Sequence, residues 1–426
     1  MATKILKDNY QADKITGLSF TAIALFILVA PLFEGLFAPV EYLAVTVLFL
    51  PLAFLTLLNI TVKHAWLLLL AGAVYLTINL ASSLAGVDPG EGLIGFGRNL
   101  LYFAILIISL KIPPQRLGAI YRLVFISGIL VALIGFSPLA TDFFLSNAMR
   151  AGRMQAVFGY ANTTAIYLLV SIILGLSSIP WQGPKSFRCF GFAGIYLCST
   201  ALCFTGSRAV WLLWPVSMLL SYILAGKEDK TWWALPAPLF CLFSAVVGLL
   251  SYSQYSSHHL TYSLLILLSG LVILPFLAVM IQDRRREKSG ISLWMRHILA
   301  IVLPGLLGLF LIYTADLGSR AISTGASEFL GRLIYYKDAL SIIGDYPWLG
   351  TGSAGWASLQ FQYQTAYYNV ALVHSSILQT ALDSGLPGLL FFLLIIGLSC
   401  SQWFKVRKAI LSSAQYRYLW PALVAG

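Results

Sequence analysis

The chain has 426 residues, of which 59% are hydrophobic and 10% charged, and its mean hydropathy is +0.85. Values so far above the soluble norm, with apolar runs of about twenty residues recurring along the length, exclude a soluble globular domain and mark a polytopic membrane protein. The formal charge of +11 is scattered between apolar runs, where Lys and Arg record topology, so it does not point to nucleic acid.

In chain order, Met1 to Thr16 is polar and basic, and the first apolar run leads straight into others, which reads as a retained anchor rather than a cleaved signal. An all-α bundle of about twelve spans is expected. Five lie near Gly17 to Phe33, Tyr42 to Ile60, Ala65 to Leu84, Gly95 to Leu110 and Leu117 to Gly135. Seven more lie near Phe158 to Ser178, Phe190 to Phe204, Ala209 to Leu224, Trp232 to Leu250, Leu260 to Ile281, Ile298 to Tyr313 and Leu386 to Trp403. The five cysteines fall in or beside these runs without CxxC spacing and read as small apolar groups.

Alternate loops carry the basic clusters, including Lys4, Lys7 and Lys14, Lys63, Lys185 and Arg188, Lys227, Arg284 to Lys288, and Lys405 to Lys408. The positive-inside rule assigns these loops and both ends of the span unit to the cytoplasm. Residues 1–314 are thus expected to hold spans one to eleven and 315–374 a long extracytoplasmic loop. Residues 375–408 follow as a short helix and the last full span, and 409–426 as a partial tail. Within the long loop, Arg332, Leu333, Tyr336, Leu340 and Ile343 recur at helical spacing, with Lys337, Asp338 and Ser341 elsewhere on the wheel. That pattern predicts an interfacial amphipathic helix ending at Asp345-Tyr346-Pro347.

The predicted outer face uses arginine almost alone: Arg98, Arg150, Arg153, Arg208, Arg320 and Arg332, beside Lys337. A guanidinium holds phosphate oxygens bidentately and stays protonated, so the bias suits a phosphate or diphosphate, against the plainer reading of snorkelling or pairing with nearby acids. Arg208 stands out because Thr205-Gly206-Ser207-Arg208 leaves almost no loop between two spans, and a charge held at that depth is costly. Asn162 and Thr163 read as caps of a helix entry. His374 reads as a hydrogen-bonded ring at a helix start or as a base that accepts a proton near pH 7. His258 and His259 read as a solvated tip, and His64 and His297 are assigned no role. No HExxH, P-loop or DxD-like motif is present, so no metal site and no cofactor is expected.

Four stretches together resemble the O-antigen ligase and O-antigen polymerase family, bacterial membrane glycosyltransferases. They are Arg153 with Phe158-Gly159-Tyr160-Ala161-Asn162, Thr205-Gly206-Ser207-Arg208, Arg332 through Pro347-Trp348-Leu349-Gly350-Thr351-Gly352, and His374 through Gly388. The resemblance covers Phe158 to Trp403; the first five spans agree only in hydropathy. Two departures stand: Ser375 occupies the place where the family usually has Asn, and an additional pair of spans lies between Arg208 and Arg332.

The resemblance implies a metal-independent, inverting transferase in the bacterial inner membrane, with its site facing outward. Its donor would be a glycan on undecaprenyl diphosphate and its acceptor a glycolipid or glycan. Arg208 and Arg332 would hold the diphosphate and offset leaving-group charge, His374 would deprotonate or position the acceptor hydroxyl, and Arg153 and Lys337 would contact diphosphate or glycan. A polymerase of the same family, a lipid-linked sugar flippase or another transporter, and a non-enzymatic scaffold remain as alternatives.

Overall fold

A computed structural model describes residues 14–59, 65–139, 148–178, 184–225, 230–287, 292–317 and 322–412. His64 and Arg320, the clusters at Lys4, Lys7, Lys63 and Lys227, Lys288 and the tail from residue 413 lie outside the described residues. The chain is a helical bundle. Among the described residues, eleven helices are long and apolar enough to cross a membrane, and Arg208–Leu224 is apolar but shorter.

The helices are α1 (Lys14–Val29), α2 (Pro39–Leu58), α3 (Trp66–Ala85), α4 (Pro89–Ser109) and α5 (Leu117–Phe136). A small antiparallel ribbon, β1 (Met149–Arg150) and β2 (Arg153–Met154), precedes α6 (Ala161–Ser178), α7 (Lys185–Phe204) and α8 (Arg208–Leu224). Then come α9 (Lys230–Ala234), α10 (Pro236–Ser256), α11 (Leu260–Glu287) and α12 (Leu293–Leu317). The last three are α13 (Ile322–Asp345), α14 (Gly355–Tyr363) and α15 (Ser376–Ser412).

Several helices run past their apolar stretches because backbone hydrogen bonding continues wherever a cap allows it. Thus α4 begins at Pro89 rather than near Gly95: the Asp88 carboxylate accepts from the Glu91 amide at 3.1 Å, and Pro89 fits a first-turn position whose N–H has no partner. Arg98 therefore lies nine residues inside a helix, about 13 Å along its axis.

The largest core packs α5 to α12 around Trp214, Trp233, Tyr196 and Phe192. Cys198, Cys203 and Cys241 are buried there as small apolar groups, whereas Cys400 is exposed. A separate core of Ala339, Ile342, Trp356, Tyr368, Val373 and Leu382 joins α13, α14 and the first half of α15 into a cap. Trp356 stacks on Tyr368 at 6.0 Å, and its indole N–H donates to the Val370 carbonyl at 2.9 Å.

The wheel expected for α13 is turned. Leu333 and Leu340 are exposed, while Ala339, Ile342 and the carboxylate of Asp338 are buried. Asp338 accepts from the Thr365 amide at 3.0 Å, the Thr365 hydroxyl at 2.9 Å and the Tyr368 hydroxyl at 2.7 Å. Three donors from a segment twenty-seven to thirty residues away satisfy this charge, so it goes inward. Hydrophobic periodicity on α13 contains no trace of them.

Candidate functional site

Two cavities open at the end of the bundle where α3 meets α4 and α7 meets α8. One, of about 800 Å³, lies between the end of α1, α4, the Phe158–Thr163 stretch and the segment before α15. The other, of about 610 Å³, lies between α3, α4 and α15. Arg98, Tyr102, Leu372 and His374 line both. His374 thus stands in a wall between two compartments.

The backbone holds His374 there under strain. Its φ is +60°, a left-handed conformation uncommon outside glycine that persists only where surroundings enforce it. The enforcement is visible on both sides of the residue. Before it, the Val373 amide donates to Gln379 Oε1 at 3.2 Å; at it, the Tyr336 hydroxyl donates to the His374 carbonyl at 3.3 Å. After it, Ser375 begins α15, its Oγ accepting from the Leu378 amide at 3.4 Å. The Ser that replaces the family's Asn therefore serves as a helix cap, a role either side chain fills.

The His374 ring is exposed to the cavities, yet its pKa is lowered from the ordinary histidine value, first by partial burial and then by the positive charge of Arg332. The neutral ring that accepts a proton is accordingly favoured at neutral pH. Arg332 is half-buried on α13, one helical turn before Tyr336, and does not itself line either cavity. Lys337 is exposed and lines neither.

Arg153 is bound at the turn between α7 and α8, from which Arg208 begins the next helix. Arg153 Nε donates to the Thr205 carbonyl at 2.7 Å, and its Nη2 donates to Asn162 Oδ1 at 3.0 Å. Gly206, with φ +60°, lets the turn pass the Arg153 side chain closely. Asn162 is thus a guanidinium acceptor, not the helix cap expected of it, and its Nδ2 in turn donates to the Tyr160 hydroxyl at 3.1 Å. Thr163 lines the larger cavity with Tyr160. The hydrogen-bonded chain from the Arg208 turn through Arg153 and Asn162 therefore ends in that cavity's wall. Arg208 and Arg153 themselves are not among its lining residues.

The glycine-rich stretch after α13 is a clamp. The Thr351 amide and hydroxyl both donate to the Leu382 carbonyl, at 2.7 and 3.0 Å, and the Leu386 amide donates to the Pro347 carbonyl at 2.8 Å. These bonds hold α15 at its kink, where Gly385 has φ +67°. Gly350, at φ +73°, packs so closely that a Cβ there would collide with the Leu382 carbonyl. From the other side, the Val87 amide donates to the Thr351 carbonyl at 3.0 Å, and the Gly352 amide donates to Ser82 Oγ at 3.2 Å.

Two residues were not singled out as site residues from sequence. Arg98 lines both cavities and makes no hydrogen bond or ion pair to a protein acceptor among the described residues. Asp383 is buried, lines the smaller cavity, and accepts from Gln379 Nε2 at 2.8 Å. The available signal was their chemistry: ionisable residues inside apolar helices are expensive and usually functional. Among the described residues, no three His, Cys, Asp or Glu side chains group as metal ligands.

Fold and site together define a multi-pass helical membrane protein whose chemistry-bearing side chains converge at one end of the bundle. Residues 256–393 match the family model described as O-antigen ligase, and that match supports the O-antigen ligase family for this chain. The match contains Arg332, the clamp, His374 and Asp383; Arg98, Arg153 and Arg208 precede it. No curated protein and no solved structure matches the chain. The family match supports a membrane glycosyltransferase family of the O-antigen ligase and polymerase type for this chain.

Proposed function

We propose that the protein transfers a glycan from undecaprenyl diphosphate to an acceptor hydroxyl at the outer leaflet of the bacterial inner membrane, in the manner of an O-antigen ligase. The carrying observation is His374: a strained, near-neutral imidazole in the wall shared by two cavities, with the Arg332 charge beside it. A base placed between two compartments suits a reaction that joins two substrates.

In this reading the donor's glycan enters the larger cavity, whose wall is tied to the Arg153 and Arg208 turn, while its diphosphate stays outside the cavity lining, toward that turn and α13. The guanidinium groups of Arg208 and Arg332 take the diphosphate, with Arg153 and Lys337 as further contacts to phosphate or glycan. His374 accepts the hydroxyl proton as the acceptor oxygen bonds to the anomeric carbon. The bond from that carbon to the phosphate oxygen breaks, the electron pair leaves with the carrier diphosphate, and direct displacement inverts the centre. Arginine charge offsets the negative charge growing on the departing group, so no metal is required.

The test is purified protein in lipid nanodiscs, supplied with a synthetic polyprenyl-diphosphate glycan and candidate hydroxyl acceptors in the presence of EDTA. Glycosylated acceptor with released carrier diphosphate is the expected result. A flippase reading draws on Arg98 and Asp383, ionisable groups inside helices. It predicts the donor crossing a vesicle bilayer intact, and that outcome without cleavage would overturn the transferase reading. A polymerase would show a second copy of the carrier-linked glycan as acceptor.

A further inference from the structure

The smaller cavity changes character along its length, and two helices agree on the direction. On α4 the lining runs from Arg98 and Asn99 to Phe103 and Leu106. On α15 it runs from Gln379 and Asp383 to Phe392 and Ile395, while α3 contributes Leu76, Tyr75 and Gly72. Both α4 and α15 present polar groups at the end that carries His374 and apolar ones farther along. A pocket graded in this way accommodates one molecule with a polar head beside the imidazole.

The chemistry of the head follows from the polar groups. Asp383 presents a buried carboxyl and Gln379 an amide already engaged with it; Arg98 and Asn99 supply N–H donors, and Tyr75 and Tyr102 supply aromatic rings. Asn99 and Asp383 are fixed from behind: Asn99 Nδ2 donates to Asn79 Oδ1 at 3.0 Å, Asn79 Nδ2 to Ser384 Oγ at 2.8 Å, and Ser82 Oγ donates to the Asp383 carbonyl. A diphosphate would set its oxygens against the carboxyl oxygens. A neutral sugar ring avoids that conflict, since its hydroxyls donate to the carboxyl and accept from the guanidinium and amide, and its C–H face lies on an aromatic ring.

We propose that the smaller cavity is the subsite for the acceptor's sugar, with Asp383 receiving a hydrogen bond from a ring hydroxyl and Arg98 and Asn99 donating to others. The inference rests on the transferase reading for its word "acceptor", but the sugar site itself stands on the cavity alone. It places acceptor recognition partly on α3 and α4, which lie outside the residues matched by the family model.

Two readouts separate the claims. In saturation-transfer NMR with hexyl β-maltoside, an uncharged alkyl disaccharide, the sugar-ring protons should show contact with wild-type protein in nanodiscs. That contact should fall to background in Asp383→Asn and in Leu76→Trp, which fills the cavity from α3, and should persist in Lys185→Ala at the opposite end. In transfer assays, Asp383→Asn and Asn99→Ala should raise the acceptor KM about tenfold or more, with the donor KM within about twofold. Absence of ring-proton contact with wild type, undiminished contact in both cavity variants, displacement of the maltoside by inorganic pyrophosphate, or a rise confined to the donor KM would each overturn the subsite. Maltoside contact that follows the expected pattern in a protein that transfers no glycan would instead strike the catalytic reading and leave the sugar site standing.

Discussion

The two ends of the bundle are both rich in polar side chains, and they use them differently. At the end opposite the cavities, Arg188 is buried yet bound to Gln282 Oε1 at 2.8 Å and Asp283 Oδ1 at 2.7 Å, and Lys185 bridges to the same Asp283 at 3.3 Å. The Tyr222 hydroxyl meets His297 Nδ1 at 2.6 Å, and Arg296 donates to the Thr231 hydroxyl at 3.4 Å. Each of these groups finds its partner on another helix and none reaches the two cavities. At the cavity end, Arg98, Asp383 and His374 instead face open volume. Charge that records topology and ties helices together is spent on protein partners, whereas charge kept for a ligand leaves hydrogen-bonding capacity directed at space.

If that contrast is sound, variants at the two ends should separate. The largest effect is expected from His374→Ala, which should lower glycan transfer about 10²- to 10⁴-fold with membrane insertion intact. Next come Arg208→Lys and Arg332→Lys, each expected to lose about tenfold or more in transfer because an ammonium lacks the bidentate fork. Free exchange at both positions would remove the diphosphate clamp from the account.

A smaller effect, on stability rather than chemistry, is expected at the clamp. Gly350→Ala places a Cβ against the Leu382 carbonyl in a left-handed backbone and should cost about 1 to 3 kcal/mol, read as a lowered thermal midpoint. The least effect on rate belongs to the opposite end. Arg188→Ala should lower the midpoint through loss of its two acceptors while the rate per folded molecule stays within about twofold. A large loss of turnover there would dissolve the contrast.

How much of this was legible in the sequence depends on the length scale of each signal. Spans were readable because apolar composition acts locally, and the end of α13 at Asp345 was readable from Pro347 behind it. The buried face of α13 was not, because Asp338 turns inward for Thr365 and Tyr368, partners that no wheel includes. Arg98 was visible as one arginine among several, but its place beside His374 depends on α4 packing near a segment more than 270 residues away in sequence. The glycines of Gly350-Thr351-Gly352 resembled a family motif without disclosing that their job is to let Leu382 and Gly385 approach. Local chemistry was readable; its juxtaposition was not.

The central claim is that His374 works as a base whose proton affinity is held down by its surroundings and by the charge on Arg332. Only the neutral ring accepts a proton, so activity should be present above the His374 pKa and lost as pH falls through it, with a midpoint below the ordinary histidine value. The most direct measurement is the pH dependence of residual kcat in Arg332 variants. Arg332→Gln removes a charge that lowers the pKa, so its acid limb should move to higher pH, while Arg332→Lys keeps the charge and should leave the limb in place. An acid limb that stays put in Arg332→Gln, or that survives unchanged in His374→Gln, would contradict the account.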